Sequence, residues 1–307
     1  MHGKLNLIPD WNRLNYWIDC LILMIFLPVV SAVSILADVK SDGLAMLWWP
    51  SAIPLIVYWF RGENRWPAIL IGYLIHYYVT HPYGDTGRYD IDWLLAIANT
   101  VEAIGILVLL RRLNVREPFR VWQDTKRFLF CGILLIGILT SVMGNVLFWV
   151  KGLGEGWTGI CWWYAGNVIP ALVLIPFAMV FGHPGGHASR QTNPGLWGII
   201  IFLSLAISVS SYLPMIGVPY EYRCAITFLF LPLYLMASFL LGTVGVVSIL
   251  LIGGIFSNIS YSQGFLICYE SGSIPIFVLW IFMILIPLFF LLFSAHLDHR
   301  KRQNSSA

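Results

Sequence analysis

The sequence contains few charged residues. Only 11% of its 307 residues are Asp, Glu, Lys or Arg, whereas an ordinary soluble domain has roughly 25%. Because 59% of the residues are hydrophobic, a soluble fold of this size cannot bury so much apolar surface. The composition therefore excludes an ordinary soluble domain and predicts an all-α, polytopic bundle of transmembrane helices.

Cysteines are also scarce, and recognisable catalytic motifs are absent from the sequence. The five cysteines form no CxxC pair and have no metal-ligand spacing. We interpret them as isolated thiols packed like small hydrophobic residues; the alternative for two of them is a disulfide between Cys224 and Cys268. The sequence has no nucleophile elbow, Walker loop or HExxH motif. It predicts no enzyme, no cofactor and no metal site.

Long apolar runs dominate the chain and mark candidate membrane-spanning helices. About ten spans are expected, with a range of eight to ten because three of the runs are short. The runs cover about 17–37, 44–60, 66–80, 93–110, 128–150, 159–181, 195–216, 225–241, 244–260 and 274–293. We expect residues 1–298 to form one membrane domain and residues 299–307 to form a short basic tail.

The distribution of basic residues predicts the orientation of these spans. If the N-terminus lies inside, the cytoplasmic segments hold all 18 Lys and Arg residues except Lys40, Arg88, Lys151 and Arg223. Both termini are therefore expected in the cytoplasm. The basic loop 111–127 is interpreted as a topology determinant, with docking of a cytoplasmic partner or anionic membrane lipid as the alternative. The basic residues lie beside apolar spans, so the sequence indicates no nucleic-acid partner.

Glu102 is the most informative single residue. It lies in the middle of the fourth predicted span, where an ionised side chain costs roughly 3 kcal/mol or more. Asn99 precedes it by one helical turn, on the same face. The pair is interpreted either as a site that holds a proton or contacts a polar ligand, or as a buried interhelical hydrogen bond.

Four further residues are candidates for sensing or ligand contact. Asn167 is a plausible partner for Glu102 or for backbone groups exposed near a proline. Trp49 and Trp163 suggest a stacking site, although tryptophans near span ends more often form an interfacial belt. His76 lies near the outer end of the third span, and its spacing from His81 does not favour zinc.

Several of these residues belong to motifs that follow one another in a characteristic order. They are Trp48-Trp49-Pro50 in the second span, Trp66-Pro67 in the third, Asn99-Thr100-Val101-Glu102 in the fourth, and Trp162-Trp163-Tyr164-Ala165-Gly166-Asn167 with Pro176 in the sixth. This order resembles the first class of the MASE family, the bacterial membrane-associated sensor domains, over about residues 15–298. Asn167 stands where that family often has an acid.

The resemblance implies a sensory input module of the bacterial inner membrane. Its expected partners are a cytoplasmic histidine kinase, or an output protein of cyclic-di-GMP signalling such as a diguanylate cyclase or phosphodiesterase. No output domain follows the last span, so we expect a stand-alone sensor module or an isolated input region. Residues 293–302 are expected to continue the last helix into the cytoplasm. A small-solute transporter and an intramembrane enzyme are the alternative functions left open. A homodimer is considered as the assembly of the sensor, although the sequence does not determine the oligomeric state.

Overall fold

The computed structural model describes residues 13–36, 47–80, 89–150, 152, 156–182, 193–212, 226, 228–262 and 276–306. The elements in these ranges are helical, which confirms the all-α expectation. The α-helices are α1 (Leu14–Leu36), α2 (Ala52–Arg61), α3 (Trp66–Thr80), α4 (Tyr89–Arg112), α5 (Trp122–Cys131), α6 (Ile138–Val150), α7 (Trp157–Phe181), α8 (Pro194–Tyr212), α9 (Phe230–Leu240), α10 (Thr243–Ser262) and α11 (Ile276–Ser306). Short 3-10 turns occupy Trp49–Ser51, Glu63–Arg65 and Ile133–Leu135.

The chain divides into two compact units. The first comprises Met1–Arg116 and Arg127–Ala171, and the second comprises Glu117–Lys126 and Leu172–Ala307. In the first unit α1 packs along α3, and α4 packs against α2, α3 and α6. In the second unit α10 packs against α8, α9 and α11. Helices α5 and α7 contribute residues to both units.

Six described segments are long and apolar enough to cross a membrane. They are Leu14–Ile35, Trp93–Arg112, Trp122–Val150, Trp157–Phe181, Pro194–Ser211 and Met283–Asn304. Phe230–Leu240 and Thr243–Ser257 are shorter apolar helices. Their outward faces carry exposed apolar side chains, such as Phe202 and Phe239, as expected of surfaces that meet lipid. The chain is therefore a multi-pass membrane protein, and the count of ten spans stays a prediction.

Two of the predicted spans are not continuous helices. The run 128–150 is divided between α5 and α6, with a 3-10 turn between them. In place of the predicted helix over 44–60, the described part begins with a 3-10 turn and continues as the ten-residue α2. Such a helix rises only about 15 Å, half the thickness of the hydrocarbon core. Hydropathy marks both segments as apolar but does not show where a helix starts.

Some expectations concern residues outside the described ranges. Cys224 and Cys268 lie there, as do Gly84 and Gly154, which the predicted topology places on the outer side. Cys20, Cys131 and Cys161 are free thiols, and Cys20 is buried as the interpretation expects, whereas Cys161 is exposed. At the other end of the chain, α11 extends without interruption to Ser306. The expected continuation of the last helix beyond residue 293 is thus confirmed.

Candidate functional site: a capped helix break in the first unit

The break between α5 and α6 is defined by its backbone geometry. Gly132 leaves the helical region with φ −111° and ψ −80°, and Ile136 is extended. Gly137 then has a φ of +86°, which a residue with a Cβ adopts only with strain. The turn therefore interrupts the ladder of helical hydrogen bonds and leaves backbone groups that need other partners.

Glu102 supplies the acceptors for the N-terminal end of α6. Its Oε1 accepts a hydrogen bond of 2.7 Å from the backbone N–H of Leu139, and its Oε2 accepts one of 3.1 Å from Thr140 Oγ1. The backbone N–H groups of Gly137 and Thr140 also interact with this carboxylate. A helix N-terminus carries partial positive charge, so it stabilises an anion. A mid-span acid from α4 thus caps a helix that begins inside the bundle.

Two hydroxyl side chains donate to carbonyl groups of the break, in addition to backbone N–H groups such as that of Ser141, which donates to Gly137. Tyr164 on α7 donates a 2.7 Å hydrogen bond to the carbonyl of Leu134. Ser141 on α6 donates to the carbonyl of Gly137. Together with Glu102, these side chains form hydrogen bonds with backbone groups of the turn. Such groups would be costly to leave unpaired in an apolar environment.

Asn167 on α7 packs directly against the turn. A Cβ added to Gly137 would collide with the side chain of Asn167. The Asn167 Nδ2 donates a 2.6 Å hydrogen bond to the carbonyl of Trp163. Its Oδ1 is buried and has no hydrogen-bond partner among the described residues. Asn167 therefore fixes the shape of the turn by steric contact.

The start of α2 is attached to the same stretch of α7. The backbone N–H of Trp48 donates a 2.7 Å hydrogen bond to the carbonyl of Gly166. Ser51 Oγ is 2.9 Å from the carbonyl oxygen of Asn167, to which it donates. On the other side, the hydroxyl of Tyr73 in α3 donates a 3.1 Å hydrogen bond to the carbonyl of Pro50. Two broken segments thus meet at the centre of α7.

Several residues predicted from the sequence are brought together here. Glu102, Asn167, Gly166 and Pro50 belong to this network through the contacts described above. Trp163 joins it because its indole lies against Gly144 of α6, where an added Cβ would strike the ring.

The other two aromatic candidates, Trp49 and His76, lie at or near the start of α2. The ring of His76 lies 5.3 Å from that of Trp48, and His76 is 1% exposed. Trp49 is buried in the bundle, which does not favour its interpretation as part of an interfacial belt. Exposed Trp149 and Trp157 fit that interpretation.

The remaining motif residues take up different places. Asn99 donates a 2.9 Å hydrogen bond to the carbonyl of Leu95, one turn earlier in α4, so its amide serves its own helix. Trp66 and Pro67 form the first turn of α3. Pro176 is buried on the part of α7 that belongs to the second unit.

A groove of about 430 Å³ opens beside Glu102. Its walls come from α4, α6 and the 3-10 turn between α5 and α6, and apart from Glu102 they are apolar. They consist of Gly105, Ile106, Leu109, Leu135, Ile138, Leu139 and Val142. The carboxylate is half-buried and is therefore reachable from the groove.

The C-terminal end of α4 carries a second set of charges. Arg111 forms a bidentate ion pair with Glu63, with N–O distances of 2.8 and 2.6 Å. The Glu63 side chain is only 4% exposed, so the guanidinium of Arg111 compensates a charge that is largely removed from water. Nearby in sequence, Arg65 pairs with Asp19 of α1 at 3.0 Å. These pairs join α1, α4 and the turn before α3.

Sequence reasoning missed the residues that complete the site. Thr140, Tyr164 and Gly137 were not singled out, although Tyr164 lies within a quoted motif. The available signal was the pair of glycines, Gly132 and Gly137, that flanks the turn inside a long apolar run. Among the described residues, no three His, Cys, Asp or Glu side chains are grouped so that they could hold a metal ion.

Comparison with known proteins gives one match. The family model MASE1 matches residues 20–301, a range that includes both Trp-Pro motifs, Glu102 and Asn167. No curated protein and no solved structure matches the chain. The predicted family resemblance is confirmed.

Proposed function

Because the chain belongs to the MASE1 family of membrane-associated sensor domains, we propose that it is an input module that relays a signal to a cytoplasmic output partner. The partner would be a histidine kinase, a diguanylate cyclase or a cyclic-di-GMP phosphodiesterase. The module would lie in a bacterial inner membrane with both termini in the cytoplasm. Glu102 and the turn that it caps would be the place where the signal is received.

The Glu102 cap is the single observation that carries this proposal. A carboxylate that holds the first turn of α6 makes the position of that helix depend on one charge. A change in that charge, or a ligand that competes for its oxygens from the adjoining groove, alters the attraction to the helix N-terminus. A sensor needs such an element, whose equilibrium between two arrangements a stimulus can bias.

The structural and signalling roles of Glu102 are separable by substitution. In Glu102→Gln, the amide oxygen still accepts from Leu139 and the amide nitrogen donates to Thr140 Oγ1, so the cap stays largely intact. Only the charge is lost, which is worth about 1 kcal/mol at a helix N-terminus. Thr140→Val is the matched control, because it removes a hydrogen bond of the same cap and leaves the charge in place.

The experiment joins the full chain to a diguanylate cyclase reporter through α11. We expect Glu102→Gln to insert and fold normally and to fix the reporter output high or low, by at least fivefold relative to wild type. Thr140→Val should retain output close to wild type. Wild-type output from a well-folded Glu102→Gln protein would refute the signalling role and leave Glu102 as a structural cap.

A small-solute transporter is the second candidate, and the two interrupted segments favour it. Transporters often build substrate sites from helices that are broken within the membrane and whose N-termini face an anion. Proteoliposomes containing the purified chain would distinguish the two functions. Uptake of a solute that Glu102→Gln abolishes would favour transport, whereas an output change without any uptake would favour the sensor.

A further inference from the structure

The C-terminal end of α11 makes polar contacts with other segments of the second unit. The helix has 31 residues and is therefore about 46 Å long, more than the roughly 30 Å of a hydrocarbon core. Its apolar part packs through buried Leu291, Ser294 and Ala295. The following turns, residues 296–302, carry the polar contacts and are called the exit segment below.

Asp298 caps the N-terminus of α10. Its Oδ2 accepts hydrogen bonds of 2.8 Å from both the backbone N–H and the Oγ1 of Thr243, the first residue of that helix. The preceding Gly242 has a φ of +62°, and a Cβ there would collide with the Asp298 carboxylate. The carboxylate thus occupies a place that the backbone of the α9–α10 junction leaves open.

Two basic side chains of the same segment bind other backbone carbonyls. Lys301 Nζ donates a 2.8 Å hydrogen bond to the carbonyl of Phe239, in the last turn of α9. Arg302 Nη1 donates one of 2.9 Å to the carbonyl of Arg120. The charges match their positions, because an anion lies at the start of α10 and a cation lies at the end of α9.

An aromatic contact completes the set. The ring of His296 meets that of Trp122 edge to face, with 5.1 Å between the centroids. Within about two helical turns, the exit segment therefore touches three parts of the second unit. They are the α9–α10 junction, the carbonyl of Arg120 and the first residue of α5.

We propose that the exit segment is a latch, and that its release is the step by which a signal leaves the membrane bundle. This inference rests on the proposed function, since it names how the output is regulated. Rotation of α11 by one residue, about 100°, moves Asp298, Lys301 and Arg302 away from their partners together. The latch thus has two states, held and released, instead of a graded series.

Hydrogen–deuterium exchange of the full chain in lipid nanodiscs tests the latch. Asp298→Ala should speed amide exchange at the start of α10 and over residues 293–304 by at least tenfold. The exchange rates of Asp298→Asn should lie between those of wild type and Asp298→Ala, because its amide oxygen still accepts a hydrogen bond from Thr243. Lys301→Ala should also speed exchange in these two regions. Because the Lys301 side chain is exposed, its removal should not impair folding, so misfolding would not account for faster exchange. Arg300→Ala is the matched control, exposed in the same turn, and should exchange as wild type does.

The cyclase reporter on the same variants separates the latch from the broader proposal. Altered output in Asp298→Ala and Lys301→Ala, together with faster exchange, supports the latch. Wild-type exchange in both variants overturns it. Faster exchange, with output that responds to Glu102→Gln but not to Asp298→Ala, also overturns it and leaves the proposed function standing. Output that responds to none of these variants overturns the proposed function itself.

Discussion

Glu102 and Leu139 are joined across two helices by a hydrogen bond of 2.7 Å from the backbone N–H of Leu139 to the carboxylate of Glu102. The bond explains why a membrane-spanning helix carries an acidic residue. A helix that begins within the bundle has N–H groups without helical partners, and water is scarce there to satisfy them. The acid and the broken helix therefore stabilise each other.

Loss of the cap should destabilise the protein. Glu102→Ala leaves the N–H of Leu139 and the hydroxyl of Thr140 without their acceptor, and an unsatisfied polar group costs about 2 kcal/mol. We expect a clear fall in the midpoint of thermal unfolding in detergent. Val101→Ala, at an exposed neighbouring position, is the control. Equal midpoints for the two variants would show that the cap contributes nothing.

The glycine at the break should be required for its shape. Gly137→Ala places a Cβ at a φ of +86° and against Asn167, so we expect destabilisation of roughly 2 kcal/mol or more. Gly105→Ala is the opposite case, because its Cβ meets open space on α4 and a helical Gly-to-Ala change stabilises by about 0.5–1 kcal/mol. Equilibrium unfolding of both variants measures the difference. The idea fails if Gly137→Ala is as stable as Gly105→Ala.

The buried ion pair at the end of α4 should tolerate little change. Arg111→Met leaves the charge of Glu63 in a site where it is 4% exposed, and removal of one partner from such a pair costs about 3 kcal/mol. The double variant Arg111→Met with Glu63→Gln should recover part of this loss. Arg112→Met, exposed on the same turn, controls for loss of a basic residue. A stable Arg111→Met protein would argue that Glu63 is already satisfied by other groups.

The predicted orientation is open to direct labelling. In a background without native cysteines, Arg116→Cys and Ser306→Cys should react with an impermeant maleimide only after the cytoplasmic face is exposed. Gly84→Cys and Gly154→Cys should react from the outer face of intact cells. The physical reason is that basic loops stay on the cytoplasmic side during insertion. Reaction of position 116 from outside would show that the topology is the reverse of the predicted one, with the end of α11 away from any cytoplasmic partner.

Hydropathy predicted several helices well because length and apolar character suffice for them. The run 159–181 matches α7 (Trp157–Phe181), and 66–80 matches α3 (Trp66–Thr80). The same signal failed at the α5–α6 break, since Gly132–Gly137 is as apolar as the helices on either side. A positive φ at Gly137 depends on packing against Asn167, which no local pattern contains.

The candidate site was predicted residue by residue but not as an arrangement. Glu102 was identified because a charge in a span is costly. Asn99 on the same helix face and Asn167 on another span were expected to interact with it, yet its hydrogen-bond donors are Leu139 and Thr140 on α6. Spacing along one helix indicates which residues share a face, and it contains no information about which helix packs against that face.

The proposed function and the latch together lead to one claim, that a change in the charge at Glu102 alters the exit segment of α11. The most direct measurement is amide exchange over residues 293–304 in lipid nanodiscs, compared between wild type, Glu102→Gln and Thr140→Val. We expect Glu102→Gln to change the exchange rate at least fivefold while Thr140→Val stays near wild type. Identical rates in all three folded proteins would contradict the claim and restrict Glu102 to capping α6.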